Sequence, residues 1–295
     1  MPEIHTFHMP YLNIYVKSYL IMTDHYNVFI DSGLQSNMPN IRQYLQNGKQ
    51  NVLLMTHGHW DHIGLNADIR QYGGVIYAHF SDMRFFQDFN WHWQVGFEQY
   101  ANDMTIPPER SEVFWREIGQ PAVIDYSVQD GMELKFDDLT LYVIGLPGHT
   151  NGSVGYYVPS DKTLFTGDAL MECGFFGGLA QYCDYEAYIS SMQKIMELAP
   201  EVIFTSHTNP YKKGTGTQAA KEAVDFAGRV KKRVEDYLKS TKGCIVLKDA
   251  AHAVCESERR SMGGGACVSV LNHLCDMRAE DSRIEDCVEK YICGF

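Results

Sequence analysis

Four side chains able to ligate a metal fall within six residues, in the stretch Thr56-His57-Gly58-His59-Trp60-Asp61-His62-Ile63-Gly64. They directly follow the apolar run Val52-Leu53-Leu54-Met55, which reads as a buried strand feeding a polar turn. Side chains at i, i+2, i+4 and i+5 cannot share one face of a helix or a strand. On a turn loosened by Gly58 they can splay toward two adjacent points. The fold must therefore end a buried strand at this turn and bring further ligands to it from elsewhere in the chain.

Three later positions repeat the placement. His149 follows Val143-Ile144-Gly145-Leu146-Pro147-Gly148, Asp168 follows Thr163-Leu164-Phe165-Thr166-Gly167, and His207 follows Val202-Ile203-Phe204-Thr205-Ser206. Each sits at the end of an apolar strand. A lone histidine there is usually structural, but three such positions alongside a dense cluster point to one shared centre.

Strands are predicted over 13–22 and 26–30, the latter ending in the turn Asp31-Ser32-Gly33, and over 52–55 and 75–78, with helices over 38–46 and 66–72 between them. This alternation points to a layered α/β domain. Residues 84–118 interrupt it with an aromatic-rich segment that Pro107-Pro108 divides into two predicted helices. Strands resume over 134–136, 139–144, 154–158 and 163–166, followed by a helix over 185–198 and a strand over 202–205. Beyond Pro210 the character changes. Ala220, Ala223, Val224, Ala227, Val230, Val234, Tyr237 and Leu238 recur at helical spacing. Further helices are predicted over 248–258, 267–277 and 284–292, with Gly263-Gly264-Gly265 as a hinge. The expected organisation is a catalytic domain over 1–212 carrying the insert 84–118, and a helical C-terminal extension over 213–295.

The ligand set resembles the metallo-β-lactamase superfamily in its dinuclear H-x-H-x-D-H form. All five motifs of that family can be placed, at Asp31, 57–62, His149, Asp168 and His207. The resemblance implies an α/β fold, an αββα sandwich with its metals at one edge between the two sheets. It implies that His57, His59 and His149 hold one ion, that Asp61, His62 and His207 hold the other, and that Asp168 bridges them. Asp31 would order the ligand loop by hydrogen bonds. Two divalent ions are implied, and donors without thiolate suit zinc, with iron and manganese also compatible. Such a pair lowers the pKa of bound water toward neutrality, so that a bridging hydroxide becomes the nucleophile. Asp61 would move the proton to the departing atom.

The spelling of the cluster is similar to that of glyoxalase II-like thioesterases, and the ligand set to that of the family's lactonases. The implied reaction is hydrolysis of a small thioester, lactone or ester. The glutathione-binding basic residues of those thioesterases have no match in the C-terminal part. Lactonases place a tyrosine near the metals after the bridging aspartate, which makes Tyr182 a candidate for the substrate pocket. Two other readings of the same fold are an iron-dependent oxidative enzyme similar to persulfide dioxygenases, and a phosphodiesterase.

The formal net charge of −12 argues against a nucleic-acid or anionic-membrane partner. The N-terminus shows no basic region followed by an apolar core, and no apolar stretch approaches a membrane span. A cytoplasmic protein acting on a small molecule is expected. Six cysteines crowd the last fifty-odd residues at spacings unlike any zinc knuckle, so reduced, mostly buried thiols are expected. The aromatic segment has two readings. It walls or covers the pocket, with Trp91 and Trp93 facing substrate, or it packs as an ordinary helical pair or homodimer contact.

Overall fold

A computed structural model describes residues 3–11, 14–171, 174 and 177–293. Asn13, where the first predicted strand begins, lies outside them. Two six-stranded sheets form the centre. The first holds β1 (Ile4–Tyr11), β2 (Ile14–Met22), β3 (Tyr26–Ile30), β4 (Gln50–Leu54), β5 (Val75–Ala78) and β6 (Tyr126–Ser127), in that spatial order. The second holds β7 (Glu133–Phe136), β8 (Leu139–Gly145), β9 (Val154–Val158), β10 (Thr163–Gly167), β11 (Val202–Thr205) and β12 (Tyr211–Lys212), again as neighbours in chain order. The short strands β6 and β12 carry too few residues to show a period.

The sheets face each other across an apolar layer that includes Tyr19, Ile21, Val28, Ile30, Val52 and Leu54 from one and Leu141, Val143, Tyr156 and Phe165 from the other. On the outer face of the first sheet lie α1 (Met38–Leu45), α2 (Trp60–Ile63) and α3 (Asn66–Gln71), and the insert supplies α4 (Met83–Gln87), α5 (Phe89–Gly96) and α6 (Pro108–Glu117). Against the second sheet lie α7 (Tyr185–Leu198) and the start of α8 (Thr215–Ser240). The result is the αββα sandwich.

β4 reads as a continuous apolar run because it is buried on both faces, between parallel neighbours β3 and β5. β8 and β10 are both antiparallel to β9, and β11 is parallel to β10. Hence β8, β10 and β11 run the same way, and their carboxyl ends share one edge. At that edge backbone bonds cross between the sheets, from Lys17 N to Ser206 O at 2.8 Å and from Val154 N to Thr56 O at 2.8 Å.

Three expectations change. The first half of the insert breaks into α4 and α5, because Asp88 leaves helical geometry and caps α5, its carboxylate accepting from Trp91 N at 3.0 Å. The triple glycine is no hinge. Gly263 caps α10 (Gly264–Met277), its carbonyl accepting from Ala266 N and Cys267 N, and the helix runs through the other two. The last predicted helix shrinks to α11 (Glu285–Val288).

The long helix α8 serves two cores. Its small residues Ala219, Ala220, Ala223 and Ala227 let it approach α7 and the second sheet. Farther along, Val230, Val234 and Leu238 pack with α9 (Leu247–Ser257) and α10 in a separate cluster. Cys255, Cys267 and Cys287 are buried in that cluster as free thiols. Among the described residues, no helix is long and apolar enough to cross a membrane.

Gly64 closes the ligand loop against the insert. A Cβ there would stand 2.3 Å from Glu117 O and 2.7 Å from both Gln35 N and Gly33 O, all backbone atoms. Gly64→Ala is expected to destabilise the protein by about 1–3 kcal/mol through overpacking, measured by urea unfolding. An unchanged midpoint would show that the loop has room the structure denies it.

Candidate metal centre

The loop after β4 carries His57 and His59, and the one-turn helix α2 carries Asp61 and His62. Asp31, just past β3, accepts from Thr56 N at 2.7 Å and from the Thr56 hydroxyl at 2.7 Å, and faces His62 Nδ1 at 2.9 Å. Because the Thr56 hydroxyl gives its proton to Asp31, it accepts from His57 Nδ1, 3.1 Å away. Both rings thereby donate through Nδ1, which leaves Nε2 turned inward. His149 follows the same logic, its Nδ1 lying 2.9 Å from Gln181 O, and His207 Nδ1 faces Tyr15 O at 3.2 Å. Four histidines thus turn Nε2 inward, and His59 turns Nδ1 inward, 2.8 Å from His149 Nε2.

The inward atoms form two groups. His57, His59 and His149 converge, as do Asp61, His62 and His207, each set with its ligand atoms within 4.8 Å of one another. Asp31, His57 and His62 also lie that close, but the Asp31 oxygens are already engaged by Thr56 and His62. Asp168 stands between the two groups. Its Oδ2 is 3.1 Å from His207 Nε2 and 3.8 Å from His149 Nε2, and its Oδ1 is 3.6 Å from His62 Nε2. It reaches this point because Gly167, at φ +54, lets the end of β10 press on Thr56, where a Cβ would meet the hydroxyl oxygen at 2.2 Å.

Within this cluster His57 Nε2, His62 Nε2 and Asp168 Oδ1 are buried without a hydrogen-bond partner. Unpartnered buried polar atoms of this kind normally cost free energy, and a cation coordinated by them would remove the cost. Burial holds His57 and His59 well below the usual imidazole range, and neighbouring imidazoles add to it. Burial lowers His149 too. At the other group burial is outweighed by carboxylates. Asp61, Asp168 and Asp31 raise His62 well above its ordinary value, and Asp168 and Asp61 raise His207 to about 9. Burial also fails to raise Asp61, which His62 and His207 hold at about 2. Neutral imidazoles on one side and a field that favours positive charge on the other suit a pair of cations.

A cavity of about 460 Å³ opens on the cluster, and His59, Asp61, His149, Asp168 and His207 line it. Its other walls come from the insert, through Phe85, His92 and Phe97, and from the α9–α10 connection. Trp91, Trp93 and Tyr182 are absent from the lining, which corrects their assignment to the substrate pocket. Trp91 lies beneath the Arg84 guanidinium, 4.4 Å from its ring centre, and Trp93 stacks on Phe97. Tyr182 is fully buried, its hydroxyl 2.8 Å from His273 Nε2.

Asp82 carries no motif signal, yet it binds both ligand loops. Its carboxylate accepts from Gly58 N at 2.8 Å, Gly152 N at 2.7 Å and the Thr150 hydroxyl at 2.7 Å. Burial still pushes it up to about 6. Gln181, Tyr11 and Arg110 are equally invisible to motif reading. The one signal in the sequence is that Asp82 is the first acid after a strand end.

Comparison with known proteins agrees with this geometry. The model of the metallo-beta-lactamase superfamily matches residues 13–207. Hydroxyacylglutathione hydrolase GloC of Haemophilus influenzae is 30% identical over 167 residues, covering 54% of this chain and 69% of that protein. The probable hydroxyacylglutathione hydrolase glo2 of Schizosaccharomyces pombe is 25% identical over 240 residues, covering 77% and 76%. Among solved structures, a metallo-beta-lactamase family protein from Thermus thermophilus superposes with a TM-score of 0.73 at 20% identity, over 95% of this chain and 94% of that one.

Replacing Asp82 by Ala leaves the N–H groups of Gly58 and Gly152 without their acceptor, while the Thr150 hydroxyl keeps Ser153, and should cost about 1–3 kcal/mol. Urea unfolding measures it. A parent-like stability would mean that the two ligand loops hold each other without the carboxylate.

Proposed function

This chain belongs to the metallo-beta-lactamase superfamily, and from that premise we propose that it is a metal-dependent hydrolase of a small thioester, lactone or ester. The observation that carries the reading is the pair of converging ligand groups sharing Asp168 at the wall of a cavity. His57, His59 and His149 would hold one ion and Asp61, His62 and His207 the other, with Asp168 between them. The donor set, imidazole and carboxylate without thiolate, favours zinc. When bound there, two such ions would supply a water nucleophile at neutral pH and polarise a substrate carbonyl.

The remaining work falls to the chain itself. Asp61 stays ionised at neutral pH and faces the cavity. Its carboxylate takes the proton as water adds to the carbonyl carbon, and returns it to the departing sulfur or oxygen. The apolar wall of Phe85 and Phe97 excludes water and seats the acyl part. The named relatives support an acyl group on sulfur. The acidic net charge supports a small-molecule substrate over a nucleic acid.

The test is metal analysis of the purified protein with a panel of chromogenic thioesters, lactones, esters, phosphodiesters and β-lactams. About two zinc ions per chain and turnover of a carbonyl substrate are expected. Iron with oxygen consumption, or phosphodiester cleavage alone, would replace this reading. His59→Ala and Asp168→Ala should each lower bound metal, and lower kcat/KM by more than the roughly 10–100-fold typical of groups that only orient ligands. Full metal content and activity in either variant would refute its place in the centre.

A further inference from the structure

We infer that Arg110 anchors a carboxylate of the substrate, so that the centre prefers carbonyl compounds carrying one anionic group. This rests on the hydrolase reading above and narrows its substrate class.

Arg110 is the one Lys or Arg among the described residues that line the cavity. The other arginines of the insert are paired, Arg84 with Asp88 and Arg116 with Glu117. Arg110 has no ion pair among the described residues. Its guanidinium instead donates to the Tyr11 hydroxyl and lies over two rings, 5.3 Å from the centre of Tyr11 and 5.8 Å from that of Phe97. These contacts orient the group and take part of it out of water, but a phenol and two ring faces balance none of its charge. The cavity it lines is apolar at Phe85, Met104, Ile106, Met171 and Leu179, and the two carboxylates of the lining, Asp61 and Asp168, face the histidines of the candidate centre. A half-buried cation in such a wall is poorly compensated until an anion meets it.

The planar fork of a guanidinium matches a carboxylate bidentately. One cation neutralises one negative charge. A dianion such as phosphate would bring a second charge that no other Lys or Arg of the lining meets. The favoured substrate therefore combines a scissile carbonyl for the metal centre, an apolar stretch for the wall, and a carboxylate for Arg110.

The test uses the metal-loaded protein. Mono-p-nitrophenyl esters of adipic and suberic acid are compared with their neutral methyl esters, and calorimetric binding of adipate and suberate is compared with that of hexanoate and octanoate. We expect the wild type to favour the extra carboxylate by about 10- to 100-fold in at least one chain length, mainly through KM. The preference should vanish in Arg110→Met and persist in part in Arg110→Lys. Each is a ratio within one preparation, so partial misfolding of a variant cancels. Equal binding of diacid and monoacid by the wild type, or a preference that survives in Arg110→Met, would overturn the anchor. If neither these esters nor the thioesters and lactones of the panel are hydrolysed while the binding preference stands, the hydrolase reading falls and the anchor remains.

Discussion

A buried carboxylate, Asp31, sets the geometry on which the rest of the centre depends. It lies just past β3 at φ +57, a backbone conformation that aspartate tolerates better than most residues. Its own N–H donates to Leu54 O at 3.0 Å, which ties β3 to the end of β4. Its oxygens then reach Thr56 and His62, and through the Thr56 hydroxyl they select the tautomer of His57. One carboxylate therefore orients a histidine in each ligand group. Burying its oxygens without these partners would cost free energy, so the loop conformation and the aspartate side chain stabilise each other.

His149 depends on a different support, and it comes from the far end of the chain. Gln181 O, which fixes the His149 ring, lies in a segment gripped by α10. The Ser269 hydroxyl donates to Ala180 O at 2.6 Å and accepts from Tyr182 N at 3.1 Å. His273 meets the Tyr182 hydroxyl, and Asn272 accepts from Tyr185 N at 2.9 Å. Three polar side chains of one helix thus hold the carbonyl that orients a candidate ligand. The C-terminal helices are structurally part of the centre, and they also supply a wall of its cavity.

What could be read from the chain follows from how local each signal is. The strand before the cluster is visible because β4 is apolar on both faces, and α7 because its spacing and its Asp184 cap coincide with a full-length helix. The seven candidate ligands are visible because four crowd the turn after β4 and His149, Asp168 and His207 each follow an apolar strand. Asp82, Gln181 and Arg110 are not, since each acts through contacts 24 to 99 residues away: Asp82 with Gly58 and Gly152, Gln181 with His149, and Arg110 with Tyr11. Trp91, Trp93 and Tyr182 mislead for the opposite reason. Aromatic residues near a site are rich in surface to bury, and here they bury it against neighbours rather than facing the cavity.

The same contrast orders the electrostatics of the cavity. Asp31 and Asp168 are buried carboxylates and Asp61 lies beside them at the cavity wall, while burial lowers the pKa of His57, His59 and His149 and favours their neutral form. Only His62 and His207 are drawn toward the charged form, and they are the histidines nearest the carboxylates. The fold therefore concentrates negative charge at one ligand group and neutral donors at the other. A cation pair shared through Asp168 compensates both at once. Arg110 lies outside that arrangement, among aromatic rings, and its charge is left for whatever enters the cavity.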